Sequence, residues 1–132
     1  MPPTTSLPED AKNTILEFIK ELRDGVFTEP SDQGDLLLVE FFFQKLHPLS
    51  VMTHLVEHVL PYEKEIKAKD RTFFITKKDQ IFAGLPKERI NYFADMITKP
   101  EDKGGISKDT ENAVWEYFKT LRALSMKYKK LK

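Results

Sequence analysis

The chain has 132 residues, 40% of them hydrophobic and 32% charged, a size and balance that suit one globular domain burying roughly two thirds of its unfolded surface. It contains no cysteine, which excludes disulfides, thiolate metal sites and a cysteine nucleophile. The formal net charge is zero, yet residues 1–57 carry 10 acidic and 4 basic side chains and residues 58–132 carry 11 and 17, so the two parts stand at −6 and +6. Such a dipole either orients a partner or stacks copies head to tail, or it reflects solvated faces that differ without consequence.

The opening MPPTTSLPED has neither the basic start and apolar run of a secretory signal nor an Arg-rich amphipathic transit segment, so cytoplasm or nucleus is the expected compartment. Residues 1–6 are expected to be a flexible segment. The first helix is expected from SLPEDAKNTILEFIKELRDG, with Ser6 as cap, Glu9 completing a capping box, Pro8 in the first turn and Gly25 closing it. Ala11, Ile15, Phe18, Ile19 and Leu22 recur at three and four residues and define a core-facing stripe.

After TEPSDQG, read as a loop, the segment DLLLVEFFFQKL has Asp35 as a candidate cap and is apolar almost all the way round. Twelve residues without strict alternation favour a helix over a buried strand. It is expected to lie between other helices or under another subunit. Its apolar runs are split by Glu40 and fall far short of the ~20 residues that span a bilayer, so no membrane span is expected.

Pro48 opens a third helix, PLSVMTHLVEHVL, with Met52, Leu55, Val56 and Val59 facing inward and Pro61 marking its end or a new first turn. The following stretch is irregular to the eye. A charged helical segment runs into Thr72-Phe73-Phe74-Ile75-Thr76, which has strand propensity but no hairpin partner, and short helices with irregular joints are the expected outcome. Pro86 opens PKERINYFADMIT with Ile90, Phe93 and Ile97 in one stripe, and KPEDKGG reads as a loop. Ser107 caps the last helix, which has Asp109 and Glu111 in its first turn, lysines at its end, and Val114, Tyr117, Phe118, Leu121, Leu124 and Tyr128 along one side. The expectation is an all-α, compact single-domain bundle of five to seven helices with an irregular middle, ending in a basic tail at 129–132.

His54-Leu55-Val56-Glu57-His58 fits H-x-x-E-H, the pattern of the inverzincin zinc site. On a helix, His54 and His58 lie one turn apart with Cβ atoms about 5–6 Å from each other, and Glu57 has the side chain that activates a zinc-bound water. His47 lies eleven residues before His58, roughly 16 Å along an axis rising 1.5 Å per residue, and cannot share their ion. A third ligand would have to come from another helix, with Glu111 and Glu116 the nearest equivalents. The large two-lobed inverzincin fold does not fit in this chain. Both histidines also fall about 120° from the centre of the apolar face, which places them in solvent. Structural or surface histidines are the expected reading, with a bound non-catalytic metal and a zinc hydrolase as the alternatives.

No other reaction centre declares itself, and no cofactor is expected. Gly104-Gly105 lacks the strand–turn–helix context of a phosphate cradle, and no G-x-S-x-G elbow is present. Lys127, Lys129 and Lys130 surround Tyr128, and Lys64, Lys67, Lys69, Arg71, Lys77 and Lys78 form a second basic band, so nucleic acid is one candidate partner. Lysines at a helix C-terminus are also favoured by the macrodipole alone, and only four arginines are present. The apolar excess carries more weight. Ten phenylalanines, four tyrosines and one tryptophan exceed what short helices easily cover, and Phe41, Phe42 and Phe43 are candidate anchors of a protein interface or of self-association; the competing reading is a central core helix. Trp115 and Phe118 are expected to pack inside.

Asp70-Arg71-Thr72-Phe73-Phe74, the ending Val114-Trp115-Glu116-Tyr117-Phe118 with Leu121, Leu124 and Tyr128, and the spacing of Phe82 and Phe93 carry a loose resemblance over residues 60–128. The chain resembles small uncharacterised helical proteins of nucleocytoplasmic large DNA viruses. The resemblance implies a place in an infected cell or a virion and carries over no catalytic residues. A non-enzymatic interaction or minor structural role is the resulting expectation, with a basic-surface nucleic-acid binder next and a zinc hydrolase third.

Overall fold

A computed structural model describes residues 6–131. Among the described residues seven α-helices follow one another: α1 Leu7–Gly25, α2 Pro30–Lys45, α3 Pro48–His58, α4 Glu63–Lys67, α5 Thr72–Ile81, α6 Lys87–Thr98 and α7 Lys108–Lys130. Single 3₁₀ turns at Leu60–Tyr62 and Glu101–Lys103 complete the order, and there is no strand among the described residues.

The strongest local signals form as their chemistry dictates. Ser6 Oγ accepts from the Glu9 amide at 3.3 Å while the Glu9 carboxylate reaches back to the Ser6 amide, so two of the free donors at the start of α1 are satisfied reciprocally. Ser6 is the cap of α1; the rest of the expected N-terminal segment, 1–5, lies outside the described residues. Ser107 Oγ accepts from the Thr110 amide at 3.1 Å and starts α7. That helix continues through Lys129 and Lys130, so the expected tail is the last helical turn, with Lys132 outside the described residues.

One expectation is corrected. The segment read as a loop after Phe27 is already helical from Pro30, with Glu29 as cap residue, so Asp35 sits inside α2 and caps nothing. Proline at the first helical position, where its missing N–H costs no bond, explains the early start. Residues 72–76, despite their strand propensity, start α5, one of the short helices expected in this stretch. Packing overrides propensity there: the Phe74 ring lies 4.6 Å from Trp115, and Phe73 and Phe74 lie 5.3 Å and 5.4 Å from Phe118.

α1 lies against α2, α3 and α7, α3 also packs on α7, and α5 pairs with α6. Two aromatic nuclei fill the interior. Phe18, Phe73, Phe74, Trp115 and Phe118 join α1, α5 and α7, while Phe27, Phe82, Tyr92 and Phe93 join the α1–α2 connection to α6. Trp115 and Phe118 are buried, as their positions in the sequence imply.

The joint between α6 and α7 is tightly drawn. The Gly105 amide donates to Pro100 O at 3.1 Å and the Ile106 amide to Met96 O at 3.2 Å. A Cβ on Gly105 would lie 2.0 Å from the carbonyl oxygen of Lys99, so only glycine fits.

Candidate functional site

The sixteen residues of α2 bury a narrow strip, Asp32, Leu36, Val39 and Phe43, against the rest of the molecule. The opposite face is not polar. Leu37, Leu38, Phe41 and Phe42 are 39%, 54%, 53% and 40% exposed, and at 3.6 residues per turn they form one patch flanked by Gly34 and Lys45. Helices that meet solvent normally carry charge there. With ~200 Å² per large side chain and about half of it open, the patch presents roughly 400 Å², within the range of apolar patches that mark binding surfaces. Phe42 packs beside Gly84, where an added Cβ would lie 3.7 Å from the Phe42 side chain in ordinary van der Waals contact, and against the edge of Phe43 at 5.4 Å.

Of the three expected anchors, Phe41 and Phe42 lie on this face and Phe43 does not. Phe43 is 3% exposed and belongs to the core, because it falls on the buried strip with Leu36 and Val39. α2 is accordingly covered on one side only, and not enclosed between helices.

The beginning of α2 is held by charge. Asp32, 4% exposed, accepts from Arg89 Nη2 at 2.6 Å and from the Tyr92 hydroxyl at 2.8 Å, and Arg89 Nε donates to Asp35. The guanidinium also lies over the Tyr92 ring, 4.6 Å from its centroid. The sequence carries no local mark of this network, since Asp32 and Arg89 lie 57 residues apart.

A second site surrounds the histidine pair. The rings of His54 and His58 lie 4.6 Å apart, as one helical turn requires. They are not solvated as expected: both are half-buried on the rim of a pocket of about 40 Å³ whose interior is formed by Ile15, Phe18, Phe43, Leu55, Phe73 and Phe118 among others. α5 brings Lys77 and Gln80 to the same rim. Lys77 Nζ donates to His58 Nδ1 at 3.2 Å and sits 4.7 Å above the Tyr62 ring. Burial pushes the His54 imidazole below its usual pKa; His58 and, more weakly, Lys77 act the same way, and Glu57 opposes them.

No cluster of three or more His, Cys, Asp or Glu side chains suited to a metal occurs among the described residues. Glu111 is taken by Arg71, at 2.8 and 3.0 Å, and by the Trp115 indole at 3.3 Å; the Arg71 contact holds its carboxyl below the usual range. Glu116 pairs with Lys119. His47 instead caps α3, its Nδ1 accepting from the Leu49 amide at 3.1 Å.

The expected basic band is broken up in the same way. Lys67 pairs with Glu63, Lys69 bonds Asn112, Arg71 bonds Glu111 and Lys77 bonds His58. Lys127, Lys129 and Lys130 do stand exposed on the end of α7, and none has a carboxylate within 4.0 Å among the described residues. No helix of the described residues is long and apolar enough to cross a membrane. The chain matches no protein-family description, no curated protein and no solved structure.

Proposed function

We propose that this protein is a non-enzymatic interaction protein whose α2 pairs with α2 of a second copy. The observation that carries the reading is the exposed stripe Leu37, Leu38, Phe41 and Phe42 on an otherwise well-packed helix. The stripe is self-complementary when two copies run antiparallel about a two-fold axis: Leu38 meets Phe41 of the second copy, Leu37 meets Phe42, and Gly34 meets Lys45. Nothing lies within 4 Å of the place a Gly34 Cβ would occupy, which leaves room for the aliphatic stem of the opposing lysine. Roughly 400 Å² from each copy is about half of a standard interface, so the association is reversible and concentration-dependent. The resemblance of residues 60–128 to helical proteins of large DNA viruses supports an accessory or minor structural role as the setting, in the cytoplasm or nucleus of an infected cell or in the virion.

Sedimentation velocity from about 10 µM to about 1 mM tests the reading, a range that spans weak homodimers. The weight-average sedimentation coefficient should rise with concentration, and Leu38→Glu with Phe41→Glu should abolish the rise while leaving the helical circular dichroism unchanged. A wild-type chain that stays monomeric across the range overturns it.

The three exposed lysines at the end of α7 favour a second reading, a phosphate-contacting surface for nucleic acid. Binding to single- or double-stranded DNA that falls steeply between low and moderate salt, and is lost on replacing Lys127, Lys129 and Lys130 by Gln, would support it. No binding at low salt removes it.

A further inference from the structure

We propose that the pocket between α1, α3, α5 and α7 is a binding site for a short-chain aliphatic carboxylate, with its tail among Phe18, Phe43, Phe73 and Phe118 and its carboxylate at Lys77, His54 and His58. The site is separate from the α2 stripe and does not depend on self-association.

The interior and the rim of this pocket differ in chemistry. Its interior is wholly aliphatic and aromatic, and its rim carries the polar side chains His54, His58, Lys77 and Gln80. An apolar cavity of this kind is a poor host for water, which needs two to four polar partners, but a good one for alkyl groups. About 40 Å³, at ~10–15 Å³ per water-sized occupant, holds three or four carbon atoms and no more. That interior suits a short alkyl tail better than a long-chain lipid or a drug-sized ligand.

The rim selects the head group. Lys77 is a half-buried ammonium with no carboxylate within 4.0 Å among the described residues; its neighbours are an imidazole nitrogen and an aromatic ring. Half-buried lysines are normally compensated by an acid, and here Glu57, with a side chain 64% exposed, lies 3.9 Å from the far nitrogen of His58 and makes no ion pair with Lys77. Because His58 Nδ1 accepts from Lys77, a neutral His58 carries its proton on the other ring nitrogen and is itself a donor. The rim therefore sets a positive charge with no carboxylate within 4.0 Å, and two imidazoles, beside an oily slot. A cation would be repelled by Lys77, and a metal ion would have to displace it from His58. An aliphatic acid satisfies both halves of the site at once.

The test is an NMR titration of the imidazole Cε1–H resonances with sodium butanoate, butan-1-ol and butan-1-aminium chloride, which share a chain length, at constant ionic strength and neutral pH. Butanoate should shift the His54 and His58 resonances saturably, while the aminium ion should not bind and the alcohol should bind far more weakly. Lys77→Met keeps the aliphatic stem and should weaken butanoate about tenfold, the size expected for one charge-assisted hydrogen bond; Lys77→Arg should largely preserve it. The thermal midpoint of Lys77→Met, read alongside, should stay near that of the wild type. No saturable shift with butanoate, equal response to the alcohol, or indifference to Lys77→Met each overturns the proposal. The double variant Leu38→Glu, Phe41→Glu should bind butanoate as the wild type does, so failure of the α2 reading and failure of this one are distinguishable.

Discussion

Arg89, in the first turn of α6, donates from Nη2 to Oδ1 of Asp32, in the first turn of α2, at 2.6 Å across 57 residues of chain. Asp32 is buried and accepts from Tyr92 as well, so its charge is compensated on both oxygens. Arg89→Met should destabilise the fold by about 3 kcal/mol, because it leaves a buried carboxylate with only a neutral donor. Tyr92→Phe removes one hydrogen bond and should cost about 1 kcal/mol. Urea denaturation of the purified variants reads both, and equal small effects would show that the network contributes little.

The two faces of α2 should respond oppositely to mutation. Phe43→Ala opens a cavity in the core and should cost about 3–5 kcal/mol. Phe41→Ser and Leu38→Ser alter exposed positions and should stay within about 0.5 kcal/mol at concentrations where the chain is monomeric. Denaturation midpoints at low protein concentration check the contrast.

Stability should fall with acid in two separate windows. His54 binds its proton less readily in the folded chain than in the unfolded one, owing to burial, His58 and Lys77, so the unfolded state takes up more protons as pH drops. Its contribution is complete above the ordinary value of 6.5 and is lost as pH falls below that value and through the lowered folded-state one. Glu111, held down by Arg71, contributes fully above its ordinary value of 4.5 and loses that contribution below it. A thermal midpoint that drops between pH 7.5 and 5.5 in the wild type, but less in His54→Gln, supports the first; a smaller drop below pH 4.5 in Glu111→Gln supports the second.

The helix caps should be separable from the core. Ser6→Ala and Ser107→Ala each remove a hydroxyl that accepts from a first-turn amide, and each should cost about 1 kcal/mol. Glycine at the same positions should cost only a few tenths. Circular dichroism melts of the four variants decide.

Which parts of the molecule could be read from the chain follows from the range of the forces involved. The starts of α1 and α7 were legible because Ser6 with Glu9, and Ser107 with Thr110, are partners three residues apart. The inward stripes of α1, α6 and α7 were legible because 3.6-residue periodicity survives wherever one face is buried. The start of α2 was not, since Asp32 is fixed by a partner 57 residues away and carries no local mark of it. α5 was obscured by Phe73, Phe74 and Ile75, whose strand preference is overridden by contact with Trp115 and Phe118. The histidine pair was placed in solvent by its angle on α3 alone, and the α5 residues on the same rim, Lys77 and Gln80, enter only through the tertiary fold. Phe41 and Phe42 were found by composition, while Phe43 needed the helix phase that the true start at Pro30 supplies.

The closed joint at Gly105 also sets a lever. α7 extends about 35 Å from it, at 1.5 Å per residue over 23 residues, so a tilt of about 5° at the pivot swings the far end by about 3 Å. A single methyl group at position 105 would have to push aside the Lys99 carbonyl, and the displacement would be felt most at Lys127, Lys129 and Lys130, far along the chain from where it began.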